Sequence, residues 1–219
     1  MADLRRPQLS DEVAATLRGR IMSGELRPGA RVRLEEVAAD LGVSITPVRE
    51  ALLTLRGEDM VELEPRKGYV VAPLSQQDVI DLFQLQGDIA GELAARVAAR
   101  ITEAERDELA LANKALLRAA GSRRTADIER LEYEFHRTIN RLAGARKLSW
   151  FLHTATRYTP ARFYAADPAW RDGMRADHEA LLAAFAAQDA DAARSVMTRH
   201  FTDGADLLIK HLDDLAIWD

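Results

Sequence analysis

Residues 41–50 read Leu-Gly-Val-Ser-Ile-Thr-Pro-Val-Arg-Glu, an order that few folds accommodate. Gly42 suits a backbone position with positive φ, which other residues reach only at a cost. Ser44 is a good N-cap, and Pro47 falls in a first turn whose N–H groups lack helical partners anyway. Before this stretch Leu34, Val37, Ala38 and Leu41 recur at helical spacing, and after it Val48, Ala51, Leu52 and Leu55 do the same. Two short helices about a glycine turn make the helix-turn-helix pattern, whose second helix can enter a DNA major groove. The groove-facing candidates are Ser44, Thr46 and Arg49: two hydroxyls for phosphate or base edges, and one fork-shaped cation.

The flanking sequence extends this motif. Residues 1–9 read as a loose arm, and Ser10 is expected to cap a first helix with Asp11 and Glu12 in its opening turn. Val13, Leu17 and Ile21 make its buried stripe; Gly24 ends it, ahead of a Pro28-Gly29 turn. Beyond residues 57–60, Val61, Leu63, Tyr69 and Val71 alternate with polar neighbours across Pro65-Arg66-Lys67-Gly68. That pattern is a β-hairpin. Beside a helix-turn-helix its cationic tip, Arg66, Lys67 and Gly68, reads as a wing that approaches phosphates or a minor groove; taken alone it would be a solvated basic turn. Pro73 marks a boundary, giving domains over residues 1–75 and 76–219.

Charge runs mildly against nucleic acid, since the net value is −5 and residues 1–75 hold 11 Lys plus Arg against 12 Asp plus Glu. A DNA surface must therefore be local, built from Arg27, Arg31, Arg33, Arg49, Arg66 and Lys67. The 219 residues suit two domains, and 47% hydrophobic content supplies real cores. The lack of Cys removes disulfides and thiolate chemistry and fits a reducing cytoplasm. Nothing approaches the roughly 20 apolar residues of a membrane span, and no hydrophobic region follows Arg5-Arg6 to make a signal peptide.

From residue 76 on, the sequence predicts only helices, six or seven in all, as an all-α bundle. Ser75 with Asp78, and Thr102 with Glu105, resemble capping boxes. Helices are expected over about 126–142 and 147–158, from Asp167-Pro168 with a break or bend at Gly173, and as a final pair over about 176–187 and 190–215. Glu132 and His136 are four apart and share one helical face. His178 lies on a stripe with Leu181, Leu182 and Phe185, and His200 on one with Val196, Met197, Leu207 and Leu208. These two His residues are 22 apart, and their midpoint is residue 189, at the expected Gln188-Asp189 turn. In a tight helical hairpin, residues equidistant from the turn lie at one height, so the imidazoles can converge. Three imidazoles and a carboxylate suit Zn²⁺, Ni²⁺, Mn²⁺ or Fe²⁺ and suit Ca²⁺ poorly. Separate core histidines with ordinary hydrogen bonds fit the same periodicity. His153, His211, Trp150, Trp170 and Trp218 read as packing or surface residues, and Arg123-Arg124 as a solvated loop.

Residues 10–75 resemble the winged-helix domain of GntR-family transcription regulators. The resemblance is carried by Ile21, Gly24, Pro28-Gly29, Leu34, Ala38, Leu41-Gly42-Val43-Ser44, Thr46-Pro47-Val48-Arg49-Glu50-Ala51-Leu52, Leu55, Val61 and Gly68. Many members have Arg where this chain has Ile45, so a sequence preference does not carry over. Residues 76–219 resemble the FCD effector domain of one GntR branch, on Glu132-Tyr133-Glu134-Phe135-His136-Arg137, Ala143-Gly144, Asp177-His178-Glu179-Ala180-Leu181, and Asp189 through Arg199-His200. In metal-binding members an Asp, a His four residues later and two further His hold the metal. The resemblance maps these positions onto Glu132, His136, His178 and His200, with Glu adding one methylene. Where many members grip a carboxylate effector with Arg, this chain has Gln86, and Ala145 stands where Asn is common. A neutral amide holds a carboxylate less strongly than a guanidinium does.

The expected protein is mostly α, with an N-terminal winged helix-turn-helix and a C-terminal helical bundle of FCD type. It is expected to be a cytoplasmic, ligand-responsive regulator and repressor, binding a palindromic operator in double-stranded DNA as a homodimer. Its helical domain is expected to hold a divalent transition metal and a small-molecule effector, the latter at Gln86. The runner-up is a metal-dependent hydrolase with a DNA-binding appendage, and a third reading is a metal-free sensor whose His residues touch an organic ligand.

Overall fold

The computed structural model describes residues 9–122 and 124–218. The arm expected over residues 1–9 lies outside them except for Leu9, and so does Arg123. The chain divides into two compact units: one runs to Ser75 and includes Arg157–Pro160 and the stretch from Leu212, while the other comprises Gln76–Thr156 and Ala161–His211.

The first unit is a winged helix. Its elements are α1 (Leu9–Met22), β1 (Arg31–Val32), α2 (Leu34–Leu41), α3 (Ile45–Gly57), β2 (Val61–Glu64) and β3 (Gly68–Val71). Ser10 does not cap α1: it lies within the helix and is buried. Val13, Leu17 and Ile21 of α1 and Val48, Leu52 and Leu55 of α3 are all 4% exposed or less where the two helices pack, which fixes the second helix of the motif, α3, on α1. Gly42 adopts φ +65° and closes α2, and the Val43 N–H donates to the Ala38 carbonyl at 2.9 Å. Only a residue that tolerates the left-handed region turns the chain this tightly. Between α1 and the end of α3, the buried Arg18 guanidinium meets the Glu58 carboxylate through two bonds of 2.8 and 2.9 Å, and Arg157 adds a third at 3.1 Å.

The hairpin expected across Pro65–Gly68 is β2 and β3, with Glu64 opposite Gly68. It belongs to a three-stranded antiparallel sheet ordered β1-β3-β2. β3 is thus the central strand, and Tyr69, Val70 and Val71 are buried in succession rather than alternately. Leu63, expected to face inward, lies on the edge strand β2 and is 53% exposed.

The second unit has helices and no strand among its described residues: α4 (Gln76–Ala98), α5 (Glu103–Gly121), α6 (Thr125–Leu142), α7 (Arg146–Ala155), α8 (Ala161–Ala166), α9 (Pro168–Ala187) and α10 (Ala190–Asp214), the last running on into the first unit. The Thr102–Glu105 capping box forms, and Asp167 caps α9 by accepting from the Trp170 N–H. α9 runs through Gly173 without the break that the sequence allowed there; one glycine costs a helix only about 1 kcal/mol, which 20 residues can carry. Gln188, at φ +54°, closes α9, and Asp189 caps α10 by accepting from the Ala192 N–H at 2.9 Å. Phe135, Ile139, Leu181, Phe185 and Met197 form the core between α6, α9 and α10.

Gly87 and Gly91 let α4 and α10 approach closely. A methyl at Gly91 would stand 2.5 Å from Thr198 Oγ1 and 3.0 Å from the Arg194 carbonyl, and Thr198 Oγ1 donates to the Gly87 carbonyl at 3.1 Å. Gly173 has open space around it. Gly91→Ala is therefore expected to lower stability by about 1–3 kcal/mol. Gly173→Ala should raise it by about 1 kcal/mol, and denaturant unfolding followed by circular dichroism checks the opposite signs.

Candidate DNA interface and metal centre

The N-terminal end of α3 presents the expected recognition residues outward. Ser44 is the N-cap in extended conformation, and its hydroxyl makes no capping hydrogen bond. Ser44, Thr46 and Arg49 are all exposed, and Ile45 is 38% exposed between them. Arg66 and Lys67 are exposed at the hairpin tip; Arg66 adopts φ +67° and Gly68 φ +82°. Lys67 pairs with Glu64 at 2.7 Å, and Arg33, the N-cap of α2, pairs with Glu36 at 2.5 Å. Both pairs are on the surface, where an ion pair contributes about 0–1 kcal/mol and yields readily to a phosphate. Arg27 is committed elsewhere: its guanidinium donates to the Leu215 and Ala216 carbonyls at 2.7 and 3.4 Å.

In the helical unit, α6, α9 and α10 bring Glu132, His136, His178 and His200 together, with one ligand atom from each lying within 4.8 Å of all the others. His136 Nε2 is 3.0 Å from Glu132 Oε1, as the i, i+4 spacing requires. His178 Nε2 and His200 Nε2 stand 3.6 and 3.5 Å from the same oxygen. Phe135 stacks on His178 with ring centroids 4.3 Å apart. The other face of each deep imidazole is held too. His178 Nδ1 is 3.1 Å from Asn113 Oδ1, and His200 Nδ1 is 3.2 Å from Asp177 Oδ2, whose partner oxygen accepts from Arg199 at 2.9 Å. With Nδ1 occupied, both rings turn Nε2 toward Glu132.

Charge is distributed accordingly. Burial works against ionisation of Glu132, but the imidazoles of His178 and His136 outweigh it and hold the carboxyl well below the usual range. Burial pushes His178 below its ordinary value despite Glu132 beside it. Burial also opposes charge on His200, yet its hydrogen bonds with Asp177 and Glu132 raise it to about 9. Asp177 is likewise lowered, against its own burial, by His200 and Arg199.

These residues fit a transition metal. Glu132 Oε2 and His178 Nε2 are buried without a hydrogen-bond partner, which costs roughly 1–3 kcal/mol per group unless something else is bound there. Nitrogen and oxygen ligands at roughly 2.0–2.2 Å from one ion stand up to about 4 Å apart, so small side-chain movements would close the set. Gln86 is fully buried on α4, and its amide donates to the Ala155 carbonyl at 3.3 Å. His153 and His211 lie outside the cluster; their rings stand beside Tyr133 and Phe163. Asn113 and Asp177 were not foreseen. The signal for Asn113 was its place at helical spacing between Leu109 and Leu116, on an otherwise apolar stripe.

Residues 9–71 match the family of bacterial regulatory proteins called gntR, and residues 81–203 match the FCD domain, more than half of the chain. The chain belongs to the GntR family, in the branch that carries an FCD domain. It is a DNA-binding transcriptional regulator with an effector-binding domain, and the domains it matches are those of regulators rather than enzymes. Among its relatives, the HTH-type transcriptional repressor GlaR of Escherichia coli is 27% identical over 84% of this chain and 88% of its own length. A probable D-xylose utilization operon transcriptional repressor of Paenarthrobacter nicotinovorans is 28% identical over 90% of this chain and 87% of its own. The solved structure of E. coli McbR/YncC superposes with a TM-score of 0.70 at 22% identity, covering 94% of this chain and 99% of that one, a likeness of fold. No described helix is long and apolar enough to cross a membrane.

Proposed function

We propose that this regulator is a cytoplasmic homodimeric repressor that reads a palindromic operator and holds a divalent transition metal in its helical unit. The metal reading rests on the convergence of Glu132, His136, His178 and His200 about two buried atoms that lack partners. Three imidazoles and one carboxylate would hold Zn²⁺, Ni²⁺, Mn²⁺ or Fe²⁺. The bound ion would supply a fixed positive centre within the effector domain. Asn113 and Asp177 orient the imidazoles, and Phe135 shields His178 from water. Gln86 offers an uncharged amide for the effector to meet.

On DNA, Ser44, Thr46 and Arg49 enter the major groove, while Arg66, Lys67 and Gly68 of the wing and Arg33 of α2 meet the backbone or minor groove. One such helix reads few bases, so two copies on a two-fold site account for specificity. The repressor role is drawn from the names of the two relatives.

Two outcomes follow. Arg49→Ala should weaken operator binding by roughly 1–3 kcal/mol if the guanidinium is bidentate to a base, with an unchanged melting curve; undiminished binding in a gel-shift titration removes Arg49 from the interface. Chelation should lower the melting temperature and added divalent metal restore it, by about 2.7 kcal/mol at a hundredfold excess over Kd. His178→Ala and His200→Ala should each erase that response and His153→Ala should keep it.

A further inference from the structure

The first turn of α3 differs in chemistry from those of the two helices before it. α1 opens with Asp11 and Glu12 and α2 with Glu35 and Glu36, acids that suit the positive end of a helix dipole. α3 has no acid in its first turn and begins Ile45-Thr46-Pro47. Isoleucine is a weaker helix former than leucine or the straight-chain residues. Here it is 38% exposed, while Pro47, Val48, Ala51, Leu52 and Leu55 make the buried face of the helix. Neither helix propensity nor the core of the winged helix accounts for Ile45.

Its surroundings do. At 3.6 residues per turn, Ile45 stands about 40° around the helix from Arg49 and about 6 Å from it along the axis. Thr46 and Arg49 are exposed beside it, and the Ser44 hydroxyl is not spent on a capping bond. Those three side chains can exchange hydrogen bonds with phosphates and base edges, and Ile45 can exchange none. A base pair offers one apolar group in the major groove, the 5-methyl of thymine. Packing it against isoleucine takes apolar surface of both partners out of water. Branching at Cβ leaves Ile45 essentially one χ1 well in a helix, so little side-chain freedom is lost in the contact. The absence of first-turn acids also spares the flanking phosphates from repulsion.

We propose that Ile45 reads a base: its side chain packs on the 5-methyl of a thymine in the major groove and selects a T·A pair within two base pairs of the one that Arg49 contacts. The spacing follows from about 6 Å between the two residues set against a rise of about 3.4 Å per base pair. The inference rests on the reading that the start of α3 enters the major groove, and it adds which base this turn prefers.

The test first selects duplexes from a randomised pool with the full-length protein. Each thymine of the selected site is then replaced in turn by deoxyuridine, which lacks only the methyl. One replacement in each half of the site, within two base pairs of a position whose preference Arg49→Ala relaxes, should weaken binding about fourfold, the factor for one methyl left in water. Ile45→Ala should bind the thymine and deoxyuridine duplexes alike. Thr46→Ser, which removes the other methyl in this turn, should keep the fourfold difference. Should Ile45→Ala not fold, Ile45→Ser makes the same comparison, and the deoxyuridine series on the parent protein needs no variant. If no replacement weakens binding, or if the loss persists in Ile45→Ala, the assignment to Ile45 is overturned; a selection still relaxed by Arg49→Ala then leaves the groove reading intact. If the pool yields no common sequence, or Arg49→Ala selects the same sequence with the same affinity, the groove reading fails and this inference with it.

Discussion

A carboxylate taken out of water costs several kcal/mol unless positive charge and hydrogen bonds replace its hydration. Glu132, 14% exposed at its side chain, is that carboxylate, and three imidazoles from three helices are the groups arranged around it. Each imidazole reaches it from a helix that must hold its place: His136 one turn along α6, His178 from α9 and His200 from α10. Phe135, Leu181, Phe185 and Met197 pack around the cluster, so the apolar core and the polar centre are parts of one arrangement. A shift of α10 against α9 would part His200 from His178 and leave the carboxylate poorly compensated. Close contact of α4 with α10 at Gly87 and Gly91 opposes that shift.

The winged-helix unit solves a similar problem with a smaller device. The Arg18 guanidinium is 2% exposed, and the Glu58 carboxylate beyond the end of α3 meets it in fork geometry, with Arg157 on one of the same oxygens. Such a pair adds little net stability over an apolar contact, but breaking one side strands a buried charge, at about 3–5 kcal/mol. It thus fixes the register of α1 against the end of α3, whose opposite end carries Ser44, Thr46 and Arg49.

The helix-turn-helix and the Glu132 cluster were legible in the sequence where local rules decide the structure, whereas the Arg18–Glu58 pair, 40 residues apart in the chain, was not foreseen. The Gly42 turn, the Thr102–Glu105 box and the Glu132–His136 pair each depend on a few adjacent residues, and each formed as expected. The placement of His178 beside His200 followed from a symmetry about the Gln188–Asp189 turn. What was not legible depends on distant neighbours. β1 is two residues long, too short for any period, and without it the central position of β3 and the exposure of Leu63 could not be foreseen. α8, with six residues, is equally short. Asn113 and Asp177 are polar residues whose meaning comes only from the imidazoles they meet, on other helices in both cases.

The account stands on the claim that the Glu132 cluster is a metal site, and elemental analysis of protein purified without a histidine tag tests that claim most directly. The account predicts close to one equivalent of a first-row transition metal per chain, lost in His178→Ala while the helical content remains. Protein free of metal after supplementation with divalent ions, or a His178→Ala variant with undiminished metal content, would contradict it.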